Sequence, residues 1–208
     1  MPETQKTVLY IIAGIAIIAL IYTLARSFKP SETPMDDTTA KTETTACVPA
    51  SPNQTYAFPG VLPDDKIADK KVTIATDKGE IVFELLDKEA PKTVSNFVYL
   101  TGKNYYNCLT FHRYEPGFVI QGGDPAGNGT GGPGYEFEDE KVTQSYKTGI
   151  VAMANRGPNT NGSQFFIMLA DKPLPPSYTI FGKVTSGMDT VQKIRAGDVM
   201  KEVKVENQ

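Results

Sequence analysis

The sequence predicts a mostly β domain, an antiparallel barrel capped by two helices. Three observations lead there. Beyond Asp69 the apolar residues come in many short runs rather than long helical stripes. Loops rich in Gly, Pro and Asn separate those runs. Strands and helices do not alternate, which argues against a parallel sheet with crossover helices. Closing the sheet would also remove its exposed edges.

The elements follow in order. Val72-Thr73-Ile74-Ala75 and Ile81-Val82-Phe83-Glu84-Leu85 alternate on either side of Asp77-Lys78-Gly79, the pattern of a hairpin. Pro91 suits a first helical position; Val94, Phe97 and Val98 form one stripe, and Gly102 stops the helix. Short apolar runs at 118–121, 149–153, 165–169 and 178–184 read as further strands. Met188, Val191 and Ile194 suggest a second short helix. A final strand runs from Met200 to Val205, with Val203 and Val205 alternating.

The 208 residues allow one domain plus appendages. We divide them into an N-terminal membrane anchor or signal peptide (1–28), a disordered Thr-, Pro- and Ser-rich linker (29–66) and the folded domain (67–208). From Thr7 to Ala25 there is no charge. As a helix rising ~1.5 Å per residue this stretch reaches about 28 Å, close to the ~30 Å hydrocarbon core. A signal-peptide core is usually ~7–15 residues, so the reading is a retained single-pass anchor with the domain on the extracytoplasmic side. Thr23-Leu24-Ala25 offers the alternative of cleavage and secretion. The linker is too polar to offset chain entropy by burial. Within it Tyr56, Phe58, Val61 and Leu62 are candidates to pack back onto the domain.

Composition excludes several classes. Hydrophobic residues make up 40% and charged residues 22%, as in ordinary folded proteins. The net charge of −3 gives no attraction to nucleic acid. His112 is the single histidine, which rules out a multi-histidine metal site. Neither metal nor cofactor is expected, and the domain is expected to be a monomer. Cys47 and Cys108 form no CxxC motif, and with Cys47 in the linker they read as unrelated thiols rather than a disulfide. Residues 127–132 match G-x-G-x-x-G, but Pro133-Gly134 follows where a dinucleotide site needs a helix. Ser163, His112 and Asp124 could be drawn as a triad, but Ser163 lacks the flanking glycines of a nucleophile elbow, and Asn161-Gly162-Ser163 is ordinary turn chemistry.

Two blocks carry the chemistry. The first is Phe111-His112-Arg113-Tyr114-Glu115-Pro116-Gly117-Phe118-Val119-Ile120-Gln121-Gly122-Gly123-Asp124. The second runs from Asn155 to Ile167 and sets Gln164 beside Phe165 and Phe166. Taken singly, Arg113 would be a surface charge and the phenylalanines core; their joint pattern suits gripping a peptide. Isomerising an X–Pro bond means crossing a barrier of ~18–20 kcal/mol set by amide resonance. No bond need break. A guanidinium, always charged and with several fixed donors, weakens that resonance by bonding the twisted amide. An apolar cup holds the proline ring, and the amides of Gln121, Asn155 and Gln164 fix the peptide backbone. His112 reads as structural, and Glu115 as an outward-facing surface charge rather than a partner for Arg113.

Phe-His-Arg-x-x-Pro-Gly-Phe-x-x-Gln-Gly-Gly-Asp (111–124), Gly-Pro-Asn-Thr-Asn-Gly-Ser-Gln-Phe-Phe-Ile (157–167) and Phe181-Gly182-Lys183-Val184 together resemble the cyclophilin family of peptidyl-prolyl cis–trans isomerases. The similarity runs from about Lys71 to Val205. It implies an eight-stranded closed barrel with two helices, acting on proline-containing polypeptides. It implies that Arg113 is the catalytic arginine. Phe118, Val119, Phe166 and Leu174 match the proline pocket, and Gln121, Ala154, Asn155 and Gln164 the peptide-backbone contacts. Tyr178 stands where many members carry histidine and would still wall the pocket. Val119 replaces a common methionine, and Arg156 a small residue. The chain has no Trp, and 172–176 replaces the tryptophan-bearing loop of cyclosporin-sensitive members, so tight drug binding is not expected.

Overall fold

A computed structural model describes residues 47–208 of the chain. The anchor expected at 1–28 lies outside the described residues. Among those described, no helix is long and apolar enough to cross a membrane.

Eight strands form one antiparallel sheet: β1 (Lys70–Thr76), β2 (Gly79–Leu85), β3 (Arg113–Glu115), β4 (Val119–Gly122), β5 (Ile150–Met153), β6 (Phe165–Met168), β7 (Ile180–Ser186) and β8 (Glu202–Asn207). Their order across the sheet is β3-β4-β6-β5-β7-β2-β1-β8. The helices are α1 (Asp64–Ile67), α2 (Pro91–Gly102) and α3 (Met188–Lys193). The expected hairpin is β1–β2, with Thr76 opposite Gly79 at its tip.

Closure is less complete than the barrel expected from sequence. The terminal strands β3 and β8 share no ladder. The segments just before them meet instead through a single bridge, Thr110 to Val199. Four backbone bonds flank it: Cys108 N–H to Met200 O, Phe111 N–H to Asp198 O, and the returns from Gly197 to Phe111 O and Met200 to Leu109 O. Left-handed backbone at Cys108 (φ 68°) and Gly197 (φ 94°) interrupts regular strand on both sides of this seam.

The two-residue period of the strands sorts side chains onto two faces. Tyr114, Ile120, Ile167 and Val151 lie opposite one another across β3, β4, β6 and β5. They face the main core, where Ile120, Ile167 and Val151 are fully buried. α2 plugs that core. Val94, Phe97 and Leu100 are buried on it, whereas Val98 lies only partly buried at the edge. The Phe97 ring meets Tyr106 at 4.6 Å, Phe181 at 5.4 Å, Phe165 at 5.6 Å and Phe83 at 5.8 Å between centroids. Ala90 gives α2 no side-chain cap. Glu140 supplies one from a distance, its carboxylate accepting from the Lys92 and Thr93 amides at 2.8 Å each.

The segment expected as a loose linker is described from Cys47 onward, and that part is fastened to the domain. Tyr56 N–H donates to Pro133 O at 2.8 Å, and Leu62 N–H to Ser95 Oγ at 2.9 Å. Phe58 stacks on Phe137, with ring centroids 5.0 Å apart. Val61 stays exposed. The two cysteines are not unrelated: Cys47 and Cys108 form a disulfide, with Cα atoms 5.3 Å apart. Cys47 falls in the segment expected as a loose linker, but the described part of that segment lies against the domain and brings it to Cys108, 61 residues further along the chain.

Candidate active site

The opposite face of the same strands carries the predicted site. Arg113 lies opposite Gln121, Gln121 opposite Phe166, and Phe166 opposite Ala152, one row across four strands. The next row on this face runs Glu115, Val119, Met168. Val119, Phe166, Ala152 and Met168 are buried in a second apolar cluster with Tyr146, Ile150 and Ile180. Phe118, Ala154, Leu174 and Tyr178 are half-buried around it. Tyr178 packs edge-on against Phe166 at 5.6 Å. Tyr146 fixes Tyr178 in place. Its hydroxyl donates to the Tyr178 carbonyl at 2.9 Å and accepts from the Tyr178 amide at 3.1 Å. Tyr146 was not legible as a site residue, since a tyrosine in a polar loop gives no local signal of this role.

A chain of amides joins the arginine to a neighbouring groove. Arg113 Nη1 donates to Gln121 Oε1 at 3.2 Å, and Gln121 Nε2 to Gln164 Oε1 at 2.9 Å. Gln164 Nε2 then donates to the carbonyls of Gly129 (3.0 Å) and Gly131 (2.9 Å). The Ala154 amide donates to Gln164 O at 2.9 Å, and Asn155 Nδ2 to Ser177 O at 2.6 Å. Gln121, Ala154, Asn155 and Gln164 all line the groove, whose volume is about 540 Å³. Arg113 and the proline-pocket residues lie outside its lining; Ala154 belongs to both groove and apolar cluster. The predicted residues thus separate into an apolar cup and a polar groove, with the arginine row alongside.

The glycine-rich loop is built by Asp124, another residue the sequence reading gave no role. Its buried carboxylate accepts from the amides of Ala126 (2.8 Å), Asn128 (2.9 Å) and Gly129 (2.5 Å). The loop carbonyls are left facing Gln164. The signal was present: Asp before Pro and two glycines is turn chemistry. Gly123 is required beside it. Its φ is +82°, and a Cβ there would collide with the Ser163 carbonyl. Ser163 itself is committed to structure, bonded to Tyr105 Oη at 2.8 Å and donating to Gly123 O at 2.7 Å.

Glu115 corrects an expectation. In the regular three-residue strand β3, positions two apart share a face, so Glu115 turns toward Arg113 rather than away. Arg113 Nε lies 3.5 Å from Glu115 Oε1. Both side chains are about half exposed, 46% and 51%, so the pair adds little stability. It orients the guanidinium, with Nε held by Glu115 and Nη1 by Gln121.

His112 has neither ring nitrogen hydrogen-bonded, and both are shut off from solvent. Burial lowers its pKa below the usual value; Asp124 opposes this and Arg113 adds to it. A depressed folded-state pKa means the unfolded chain binds the proton first. This contribution to stability is full above about pH 6.5 and is lost as pH falls below it. We expect the unfolding midpoint to drop between pH 7 and pH 5 more steeply in the wild type than in His112→Phe. Parallel profiles would contradict it.

Residues 71–208 match the family model for cyclophilin type peptidyl-prolyl cis-trans isomerase/CLD, and the chain belongs to that family. Among its relatives, the chain is 50% identical over 133 residues to peptidyl-prolyl cis-trans isomerase B of Bacillus subtilis, spanning 62% of this chain and 93% of that protein. It is 47% identical over 136 residues to peptidyl-prolyl cis-trans isomerase of Helicobacter pylori, spanning 63% and 83%. The crystal structure of a Cryptosporidium parvum cyclophilin type peptidyl-prolyl cis-trans isomerase superposes with a TM-score of 0.63 at 36% identity, covering 67% of this chain and 98% of that one. The matched region takes in both sequence blocks and the whole sheet from Lys71 onward.

Proposed function

We propose that the domain accelerates cis–trans isomerisation of X–Pro bonds in unfolded or exposed polypeptide segments, with Arg113 as the electrostatic catalyst. The observation that carries this is the row Arg113–Gln121–Phe166 on one face of adjacent strands. Val119 lies diagonal to Arg113 across the β3–β4 pair, within reach of a long side chain. A proline ring seated on Val119 and Phe166, with Phe118, Leu174 and Tyr178 around it, puts its amide beside the guanidinium. Gln121, Gln164 and Asn155 hold the flanking backbone. As the amide twists, resonance is lost: negative charge drains from the carbonyl oxygen, and the nitrogen becomes a pyramidal lone-pair acceptor that the guanidinium can hydrogen-bond. A cation already oriented by Glu115 and Gln121 stabilises that state without reorganising. No covalent intermediate and no proton transfer enter. The test is the exchange between cis and trans signals of a proline peptide: it should be fast with the wild type and at least tenfold slower with Arg113→Ala, and equal rates would contradict the role of Arg113.

The domain works on a single-pass membrane anchor formed by 1–28, on the extracytoplasmic side, or is secreted after cleavage near Ala25. The uncharged stretch from Thr7 to Ala25 supports an anchor. The disulfide Cys47–Cys108 supports an oxidising compartment, because such bonds are rare where thiols are kept reduced. Protease added to intact cells is expected to degrade the domain. Digestion only after permeabilisation contradicts the extracytoplasmic placement, and recovery of the domain from the medium selects cleavage.

A further inference from the structure

We infer that the N-terminal tail supplies a wall of the substrate groove, and that Pro52 is a specificity-determining contact favouring long peptides over short ones. The inference rests on the isomerase reading above and names what that site selects. The groove beside the amide chain is lined by Gln121, Gln164, Ala154 and Asn155, by Gly129–Gly134 and Tyr135, and by Pro52. Pro52 lies upstream of residue 71, where the match to the family model begins. This wall is therefore an addition of this chain to the shared domain.

The tail is pinned on both sides of Pro52. On one side is the Cys47–Cys108 disulfide, with Ala50 packed against the core. On the other, Tyr56 N–H donates to Pro133 O at 2.8 Å, and its ring sits edge-on to Tyr105 at 5.4 Å. Thr55 lies against Gly134 so closely that a Cβ there, where φ is already +88°, would meet Thr55 Cγ2 at 2.8 Å. Between the pins a bond from Gln54 N–H to Ser51 O turns the backbone around Pro52. A proline so held presents a rigid apolar surface with little entropy left to lose on binding. A peptide laid along Gln121, Ala154, Asn155 and Gln164 reaches Pro52 only if it extends several residues beyond the target proline. A tetrapeptide spanning one X–Pro bond does not.

The full chain is assayed on two substrates sharing one X–Pro sequence, a tetrapeptide and a twelve-residue peptide centred on it. Cys47→Ser removes the pin before Pro52 and leaves the catalytic row untouched. Its kcat/KM on the long peptide is expected to fall at least threefold through KM, with tetrapeptide turnover unchanged. Pro52→Ala truncates the wall whether or not the tail stays down, and is expected to lower the long-to-short ratio of kcat/KM by at least twofold. An unchanged ratio in both variants overturns the inference, as does an equal loss of kcat on both peptides, which marks general damage. Failure of the wild type to accelerate either peptide refutes the isomerase reading instead, and the two failures are told apart by that control.

Discussion

Replacing Arg113 by alanine is expected to lower kcat/KM for an X–Pro peptide by at least tenfold, and by a few hundredfold if the guanidinium acts as a single preorganised donor worth ~3–4 kcal/mol. The fold should survive. The Arg113 side chain is 46% exposed, and its ion pair with Glu115 is of the surface kind that contributes about 0–1 kcal/mol. Gln121 keeps its bond to Gln164, so the groove stays assembled. Arg113→Lys separates charge from shape. Lysine keeps the cation but loses the planar fork that Glu115 and Gln121 hold from two sides, so its activity should lie between wild type and alanine. Lysine activity equal to wild type would reduce the role of Arg113 to a general positive field.

The largest effect on stability is expected from Phe97→Ala. The Phe97 ring is fully buried and touches aromatic rings contributed by β2, β6, β7 and the segment after α2. Truncating such a ring costs about 3–5 kcal/mol, because the burial is lost and the surrounding rings collapse only partly into the gap. Domains of this kind have about 5–15 kcal/mol in total. The urea midpoint should fall sharply with little change in slope. A loss below about 1 kcal/mol would mean that α2 is not the plug of this core. Activity of the remaining folded fraction should persist, since Phe97 faces the main core and not the apolar cluster of the site.

Elements with a clear period were legible in the residues. The β1–β2 hairpin and β8 announced themselves by alternation, α2 and α3 by a helical stripe, and β4 to β7 as short apolar runs between turn-rich loops. β3 did not, being three residues long and assigned only by its partner β4. α1 is a single four-residue turn after Pro63 and has no stripe to read. Seam and disulfide are non-local: which segments meet at Thr110 and Val199, or at Cys47 and Cys108, depends on the finished fold. Within the linker, Tyr56, Phe58 and Leu62 were legible as candidates to pack back and do so, while Val61 stays exposed. The Thr- and Pro-rich composition misled about the rest of the described part, which the disulfide also holds.

The site was legible as a set of residues and less so as a geometry. The motifs selected the side chains of the cup and the groove. They did not reveal that Glu115 turns toward Arg113, which follows from the register of β3 on β4. Nor did they reveal that Asp124 and Gln164 between them build the glycine loop. The two gaps differ in origin. Glu115 is only two positions from Arg113, and its direction was hidden because β3 itself was not legible. Gln164 bonds carbonyls 35 and 33 positions away, and contacts of that kind leave no local trace, whereas an apolar period does.

The most direct measurement is two-dimensional exchange NMR on a labelled X–Pro peptide, with wild-type protein and with Arg113→Ala at matched saturation. Exchange cross-peaks between the cis and trans signals should appear with the wild type within a mixing time too short for the free peptide. The variant should still shift the peptide resonances, showing that cup and groove bind it, while exchanging at least ten times more slowly. Equal exchange rates for the two proteins at equal occupancy would contradict the assignment of the guanidinium as catalyst.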